Sequence, residues 1–176
     1  MKDNTIALIG FMGVGKTSVG QVLARLIGMD FIDADAKIEQ KAQMPISRIF
    51  ELYGEGHFRN LEHEFYSKIS SMQNTVLATG GGAVLDSRTR DILRKNAMVV
   101  HLTASPEIIF MRLDGDNNRP LLLENNKLEK ITKLLSERDD FYRRTCHITI
   151  NTDVIDIIEC AKIISQLVFG LTKKPE

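Results

Sequence analysis

The chain has 176 residues, of which 43% are hydrophobic and 26% are charged, and its formal net charge is +0. This composition is typical of a single soluble domain, and it lacks the positive charge that duplex nucleic acid or an anionic membrane would attract. Two cysteines, Cys146 and Cys160, form neither a disulfide framework nor a metal-ligand pattern. Since there is no secretory leader and no apolar run of ~18 residues, we expect a cytoplasmic protein.

Strand and helix patterns alternate along the chain. Apolar runs that lack polar alternation predict strands buried on both faces of a parallel sheet, at residues 5–10, 29–33, 75–79, 97–102 and 147–150. Helical periodicity falls between and after them, at residues 16–27, 35–52 with an interruption near Pro45, 56–71, 88–95, 105–113, 126–144 and 153–168. This alternation predicts a layered α/β fold in one domain, residues 1–176.

Two stretches do not fit the alternation. Residues 34–72 form a helical insert between the second and third strands, which we expect to bind a substrate. Residues 114–126 are polar and rich in Asp, Asn and Gly, and we expect them to form a mobile lid.

The first strand leads into a phosphate-binding loop. Gly10, Gly15, Lys16 and Thr17 match the pattern G-x-x-x-x-G-K-[ST] between a strand and a helix. The pattern predicts that Lys16 reaches the β- and γ-phosphates and that Thr17 ligates Mg²⁺. The competing interpretations are a plain glycine turn and a dinucleotide fingerprint, but the fingerprint needs a third glycine where Ser18 stands.

Other motifs narrow the class of nucleotide enzyme. The chain has no D-x-x-G switch, and its nearest GTPase base-reading segment is "NKLE", residues 126–129, with Glu in place of Asp. The third strand ends in "TGGG", residues 79–82, and not in the Asp of a motor ATPase. We therefore expect the carboxylate partner of Mg²⁺ in "FIDAD", residues 31–35, where Asp33 ends a strand. Asp33 and Asp35 could alternatively cap the next helix.

The glycine triplet at residues 80–82 is unusual beside a phosphate loop. Glycine is typical where the backbone bends or closely approaches a ligand. The triplet therefore predicts backbone contact with a small substrate, and a plain turn is the alternative.

Four arginines are candidate site residues. Arg59 can pair with Glu62 three residues later, as many surface pairs do. Arg138 lies within an apolar stripe of its helix, so it either extends to solvent or binds an anion. Arg119, in the lid, can contact the transferring phosphoryl group, and Arg112 can stack on adenine or cover its own helix.

These segments together resemble those of the shikimate kinase family. The resemblance covers almost the whole chain and rests on the segments in this order: "GFMGVGKTSVG" (10–20), "FIDAD" (31–35), "IFELYGEGHFRNLE" (49–62), "TGGGAV" (79–84) and "NRPLL" (118–122). It implies ATP- and Mg²⁺-dependent phosphorylation of the 3-hydroxyl of shikimate, on the route to chorismate and the aromatic amino acids. It also implies a three-layer P-loop NTPase fold, similar to nucleoside monophosphate kinases, with five parallel strands in the order 2-3-1-4-5.

The resemblance also implies residue roles. Lys16, Asp35 and Arg119 are the expected catalytic residues, and Thr17 and Asp33, the latter through water, are the expected magnesium site. The expected nucleotide contacts are Gly13, Val14, Gly15, Lys16, Thr17, Ser18, Arg112 and Arg119. The expected shikimate contacts are Asp35, Arg59, Gly80, Gly81, Gly82 and Arg138. We expect a monomer with ATP and shikimate as its partners, and neither nucleic acid nor a membrane.

One position departs from the family pattern R-x-P-x-Y. Asp140 stands where proline is expected in "RDDFY", residues 138–142. Because proline breaks helix hydrogen bonds, its loss predicts a more regular helix and leaves the direction of Arg138 open. Two other function classes remain to be distinguished by assay: another small-metabolite kinase, such as a gluconate or nucleoside monophosphate kinase, and a non-catalytic nucleotide-binding regulator.

Overall fold

The computed structural model describes residues 5–113 and 126–170, which form one parallel sheet with helices on both faces. The strands are β1 (Thr5–Ile9), β2 (Asp30–Asp33), β3 (Thr75–Ala78), β4 (Met98–Thr103) and β5 (Ile148–Asn151). All neighbouring pairs are parallel, and the order across the sheet is β2-β3-β1-β4-β5. This confirms the predicted fold class and strand order.

The helices are α1 (Lys16–Ile27), α2 (Ala34–Ala42), α3 (Ile46–Tyr66), α4 (Ser87–Asn96), α5 (Pro106–Arg112), α6 (Lys127–Thr145) and α7 (Ile157–Gly170). Short 3₁₀ turns lie at Ile69–Ser71 and Ala83–Leu85. The central strand β1 is buried along its whole length. Ile6 and Leu8 belong to the core that contains α1 and α7, and Ala7 and Ile9 belong to the core that contains α4. The apolar run of β1 therefore serves both faces of the sheet, as a covered parallel strand requires.

Most helix boundaries agree with the predictions. Gly28 ends α1 in the left-handed conformation, with φ 70°. Pro45 separates α2 from α3, and Gly54, with φ 77°, interrupts α3. The predicted helix 56–71 ends earlier, at Tyr66, and residues 69–71 form a 3₁₀ turn.

The predicted start of the last helix at residue 153 is wrong. Asp153 accepts a hydrogen bond from the Ser105 backbone, which holds this segment against the end of β4. The helix begins at Ile157, after the Asp156 carboxylate accepts a hydrogen bond from the Glu159 backbone N–H. Side-chain hydrogen bonding thus competes with the helix over residues 153–156.

The insert has its own small core. Ile38 of α2 packs with Ile49 and Phe58 of α3, separately from the two cores of the sheet. Most of the predicted lid, residues 114–125, lies outside the described residues, as does Arg119. Within residues 5–113 and 126–170, no helix is long and apolar enough to cross a membrane.

Candidate active site

The phosphate loop adopts a backbone conformation that requires glycine. Gly10, Gly13 and Gly15 have φ values of 143°, 80° and 97°. A Cβ on Gly10 would lie 2.2 Å from the carbonyl oxygen of Leu102, so a side chain there would collide with β4. The loop leads directly into α1 at Lys16, as the motif predicts. The N-terminus of this helix thus lies in the loop, where it favours anions.

Lys16 places its ammonium group inside this loop. Its Nζ donates hydrogen bonds of 2.8 Å to each of the carbonyl oxygens of Gly10 and Phe11. Lys16 is only 9% exposed, so the interpretation of a solvated lysine in a plain turn is wrong. The buried cation lies where the phosphates of a bound nucleotide are expected.

Thr17 and Asp33 meet beside the loop. The Thr17 hydroxyl donates to Asp33 Oδ2 at 2.7 Å, and Asp33 Oδ1 accepts from the Ala36 backbone at 3.2 Å. Asp33 therefore caps α2 with one oxygen, as the capping interpretation predicts, and accepts a hydrogen bond from Thr17 with the other, which leaves its role as a magnesium partner a prediction. A hydroxyl and a carboxylate together are hard oxygen ligands of the kind that Mg²⁺ prefers.

A cavity of about 670 Å³ opens from the phosphate loop. Residues 12–19 line it together with Asp33, Asp35, Gly81, Arg112 and Thr152. Arg112 donates to the Thr152 hydroxyl at 2.9 Å and to the Thr152 carbonyl at 2.6 Å. These two hydrogen bonds fix Arg112 at the cavity wall. From the sequence alone, Arg112 could either stack on adenine or cover its own helix.

The glycine triplet allows charged side chains to pack against the backbone. A Cβ on Gly80 would lie 2.6 Å from Asp35 Oδ1 and 2.9 Å from Glu62 Oε1. A Cβ on Gly82 would lie 2.7 Å from Arg59 Nη2. The described backbone has no left-handed φ at these positions, so a turn requirement does not explain the glycines. They are explained by the close approach of two carboxylates and a guanidinium.

Arg59 is held by carboxylates from its own helix. It forms ion pairs with Glu55 at 2.9 Å and with Glu62, whose side chain is only 3% exposed. Burial opposes the charge of Arg59, but Glu62 and Glu55 together raise its pKa above the ordinary value. Burial raises the pKa of Glu62 to about 7 against the effect of Arg59, and Asp35 adds to the rise. Because Glu62 is almost inaccessible to solvent, the pair is not an ordinary surface pair.

Arg138 projects from α6 toward the triplet. Its Nη1 donates to the Gly81 carbonyl at 3.3 Å, and the Tyr142 hydroxyl donates to the same carbonyl at 2.6 Å. Arg138 is 7% exposed, so it does not extend to solvent. Asp140 leaves α6 unbroken and pairs with Arg144 at 2.9 Å, which confirms the prediction of a regular helix.

Two residues that shape the site, Tyr66 and Thr152, could not be predicted from the sequence. The Tyr66 hydroxyl accepts from the Gly80 backbone at 3.3 Å, and burial raises its pKa well above the ordinary value. Thr152, whose hydroxyl accepts from Arg112, also lies within hydrogen-bond distance of the carbonyl oxygens of Val14 and Thr103, to either of which it can donate its one proton. Neither residue belongs to a motif with a chemical meaning of its own, so only their contacts identify them.

Comparisons with known proteins agree with the geometry. A family model described as shikimate kinase matches residues 12–168. A shikimate kinase of Thermoanaerobacter pseudethanolicus is 43% identical over 168 residues, which cover 96% of this chain and 98% of that protein. A shikimate kinase of Caldicellulosiruptor saccharolyticus is 42% identical over 161 residues, covering 91% and 93% of the two chains.

Solved structures give the same relationship. The structure of a shikimate kinase from Acinetobacter baumannii in complex with shikimate matches with a TM-score of 0.94 and 39% identity, covering 98% of this chain and 97% of that one. A shikimate kinase from Aquifex aeolicus matches with a TM-score of 0.79 and 29% identity, covering 96% and 98%. The family match spans most of the sequence and the relatives are matched over nearly their full length, so the chain belongs to the shikimate kinase family.

Proposed function

We propose that this protein transfers the γ-phosphoryl group of ATP to the 3-hydroxyl of shikimate, giving shikimate 3-phosphate and ADP. The observation that carries the proposal is the convergence of Asp35, Arg59 and Arg138 on the glycine triplet beside the phosphate loop. Two guanidinium groups suit a carboxylate, and an aspartate suits a hydroxyl. Shikimate carries both groups on one small ring, and a relative with matching fold is in complex with it.

The donor half of the site is the phosphate loop and its cavity. We assign the phosphates to residues 13–18, with Lys16 exchanging the carbonyls of Gly10 and Phe11 for β- and γ-phosphate oxygens. Arg112, on the cavity wall, is the proposed contact for the nucleoside part. Arg119 stays a prediction as the lid residue that contacts the transferring group.

The residues at Thr17 and Asp33 fit a magnesium ion. One hydroxyl and one carboxylate 2.7 Å apart suit Mg²⁺, which is commonly bound by one or two protein oxygens together with substrate phosphates. Thr17 would ligate the ion directly, and Asp33 would hold it through water. When bound, the ion would neutralise charge on the phosphates.

The acceptor half orients the hydroxyl for attack. Arg59 and Arg138 hold the carboxylate of shikimate, and Asp35 accepts a hydrogen bond from the 3-hydroxyl and can take its proton. Lys16 stabilises charge on the transferred phosphoryl group, since phosphoryl transfer depends mainly on positioning and electrostatics. The Gly80 backbone fits closely against Asp35, which limits the directions that its carboxylate can take.

The insert, residues 34–72, is the proposed substrate-binding part of the single domain. It supplies Asp35, Arg59 and Glu62 from α2 and α3, and the small core at Ile38 lets these helices pack on each other. We propose residues 114–126 as the lid that excludes water, which would otherwise compete as acceptor. A monomeric state stays a prediction, which light scattering in solution measures.

An assay of ADP release with and without shikimate tests the proposal. We expect ATP turnover that requires both shikimate and Mg²⁺, and product analysis should show the phosphate on the 3-hydroxyl. Turnover with gluconate or a nucleoside monophosphate in place of shikimate would identify another metabolite kinase. Nucleotide binding without turnover of any of these acceptors would indicate a regulator.

A further inference from the structure

Arg59 and Arg138 both lie over an aromatic ring, Phe58 and Phe11 respectively, but among the described residues only Arg59 also pairs with carboxylates. The guanidinium carbon of Arg138 lies 5.4 Å from the centre of the Phe11 ring. That separation is within the range of a cation–π interaction. Both side chains are almost fully buried, so water screens the interaction little. We propose that Phe11 is a positioning residue that fixes Arg138 for the carboxylate of the acceptor, an inference that rests on the proposed function.

The other partners of Arg138 hold it only in part. Its hydrogen bond to the Gly81 carbonyl is long, at 3.3 Å, and that carbonyl also accepts a 2.6 Å bond from Tyr142. Across residues 5–113 and 126–170, Arg138 has no carboxylate partner, whereas Arg59 has two. The Phe11 ring is therefore a major restraint on the guanidinium.

An aromatic partner suits a cation that must bind an anionic substrate. A protein carboxylate would occupy the N–H donors of Arg138 and compete with the carboxylate of the acceptor. A ring attracts the same cation through its π face and uses none of those donors. Phe11 can thus orient Arg138 while the fork of the guanidinium stays available for a bidentate contact.

Phe11 also belongs to the phosphate loop. It lies between Gly10 and Met12, and a Cβ on Gly81 would lie 3.2 Å from the Met12 backbone nitrogen. The loop that binds phosphate therefore contacts the triplet through its backbone and Arg138 through this ring. Phe11, the second residue of the phosphate-loop motif, thus acts on the site of the phosphoryl acceptor. The motif G-x-x-x-x-G-K-[ST] assigns no such role to this position.

The test replaces Phe11 with leucine and with methionine, which keep an apolar side chain and remove the ring. We expect the KM for shikimate to rise about fivefold in both variants, the size of a cation–π contact, with the KM for ATP changed less than about twofold. Phe141→Leu is the matched control, because it removes a ring 4.8 Å from Arg90 outside the site. It should leave the KM for shikimate unchanged. Thermal unfolding of each variant checks that it is folded.

Two further measurements separate positioning of Arg138 from packing of the loop. In an Arg138→Met background, Phe11→Leu should have no further effect on kcat/KM for shikimate. With an analogue whose carboxylate is reduced to a hydroxymethyl group, Phe11→Leu should leave kcat/KM at the parent value. A full loss in either measurement, or a parallel rise in the KM for ATP, would overturn the inference.

Assays of the parent enzyme distinguish a failure of this inference from a failure of the proposed function. If the parent does not release ADP in response to shikimate, the proposed function fails before any variant is compared. If the parent is active and both Phe11 variants keep its KM for shikimate, only the role of Phe11 is refuted. Phe11→Tyr, which keeps the ring, should retain a KM near that of the parent.

Discussion

The donor and acceptor halves of the site are built in different ways. The donor half comes mainly from one contiguous stretch, residues 10–18, whose glycines set the backbone around Lys16. The acceptor half combines α2, α3, the triplet after β3, and α6, so its residues are far apart in the chain. Local backbone conformation therefore determines the first half, and packing between distant segments determines the second.

This difference predicts different consequences of substitution. A change in the loop should remove the stabilisation of charge on the transferred group and lower kcat. A change at Arg59 or Arg138 should lower shikimate affinity and leave ATP binding largely intact, whereas a change at Asp35, which is proposed to take the proton of the hydroxyl, should lower kcat.

Lys16→Ala should give the largest loss. Removing a buried cation that stabilises phosphoryl charge should lower kcat by about 10²–10³-fold. Steady-state ADP release at saturating shikimate measures the effect, and circular dichroism confirms folding. Near-parent turnover in the folded variant would mean that the loop does not act through this lysine.

Asp35→Asn should lose most of kcat while nucleotide affinity is kept. The variant preserves the shape of the side chain and one acceptor oxygen but cannot take the proton of the hydroxyl, which costs on the order of 10²-fold. Single-turnover kinetics and nucleotide titration measure the two quantities separately. Activity equal to that of the parent would exclude a catalytic role for Asp35.

Arg138→Ala should weaken shikimate binding more than ATP binding. The loss of charged hydrogen bonds should raise the KM for shikimate by about 10–100-fold. Initial rates at varied concentrations of each substrate provide the comparison. A KM for shikimate comparable to that of the parent would refute the proposed contact with its carboxylate.

The Arg59–Glu62 pair predicts a pH dependence that belongs to the acceptor half alone. Burial raises the pKa of Glu62 to about 7, so lowering the pH through this value protonates it and weakens its hold on Arg59. The KM for shikimate should therefore rise as the pH falls below about 7, while the KM for ATP changes less. In Glu62→Gln this dependence should disappear, with the KM for shikimate elevated at every pH. A pH profile of each KM in parent and variant tests this.

The same shift affects stability. Between the ordinary pKa of 4.5 and about 7, the folded protein holds a proton on Glu62 that the unfolded chain has released. The contribution of Glu62 to folding is therefore present below 4.5 and is lost as the pH rises to about 7. Denaturant unfolding at several pH values measures the free energy of unfolding. In Glu62→Gln, this free energy should lack the decrease between pH 4.5 and about 7 that Glu62 causes in the parent.

Asp140→Ala should give the smallest effect. Asp140 pairs with Arg144 on an exposed part of α6, and such a pair contributes about 0.3–0.5 kcal/mol. The melting temperature and both KM values should stay close to those of the parent. A marked rise in the KM for shikimate would show that this position directs Arg138.

Much of the fold and the donor half could be predicted from sequence. The strands, the phosphate loop and the end of α1 at Gly28 depend on short-range patterns that the structure confirms. The start of α7 could not be predicted, because hydrogen bonds of Asp153 to a distant segment override the helical pattern. Tyr66 and Thr152 had no sequence signal, because their partners are far away in the chain.

The acceptor half could be predicted only in part from the sequence. The resemblance pointed to Arg59 and Arg138, but sequence alone left each with an alternative. Burial excludes the surface alternative for each: Glu62 is inaccessible beside Arg59, and Arg138 turns inward to Gly81 and Phe11, so their contacts with shikimate stay predictions. Asp140, which stands where the family pattern has proline, continues α6 as a regular helix, and Arg138 contacts the triplet.

The class of fold, the phosphate loop and the family resemblance could be predicted from the chain alone, because glycine positions and apolar periodicity act over a few neighbouring residues. The tertiary contacts determine how the two arginines are held: Arg59 by the buried Glu62, the exposed Glu55 and the Phe58 ring, and Arg138 by the Gly81 carbonyl and the Phe11 ring. Burial determines how strongly a charged group interacts, and packing between distant segments determines where its side chain points. Neither can be predicted from the local pattern of residues.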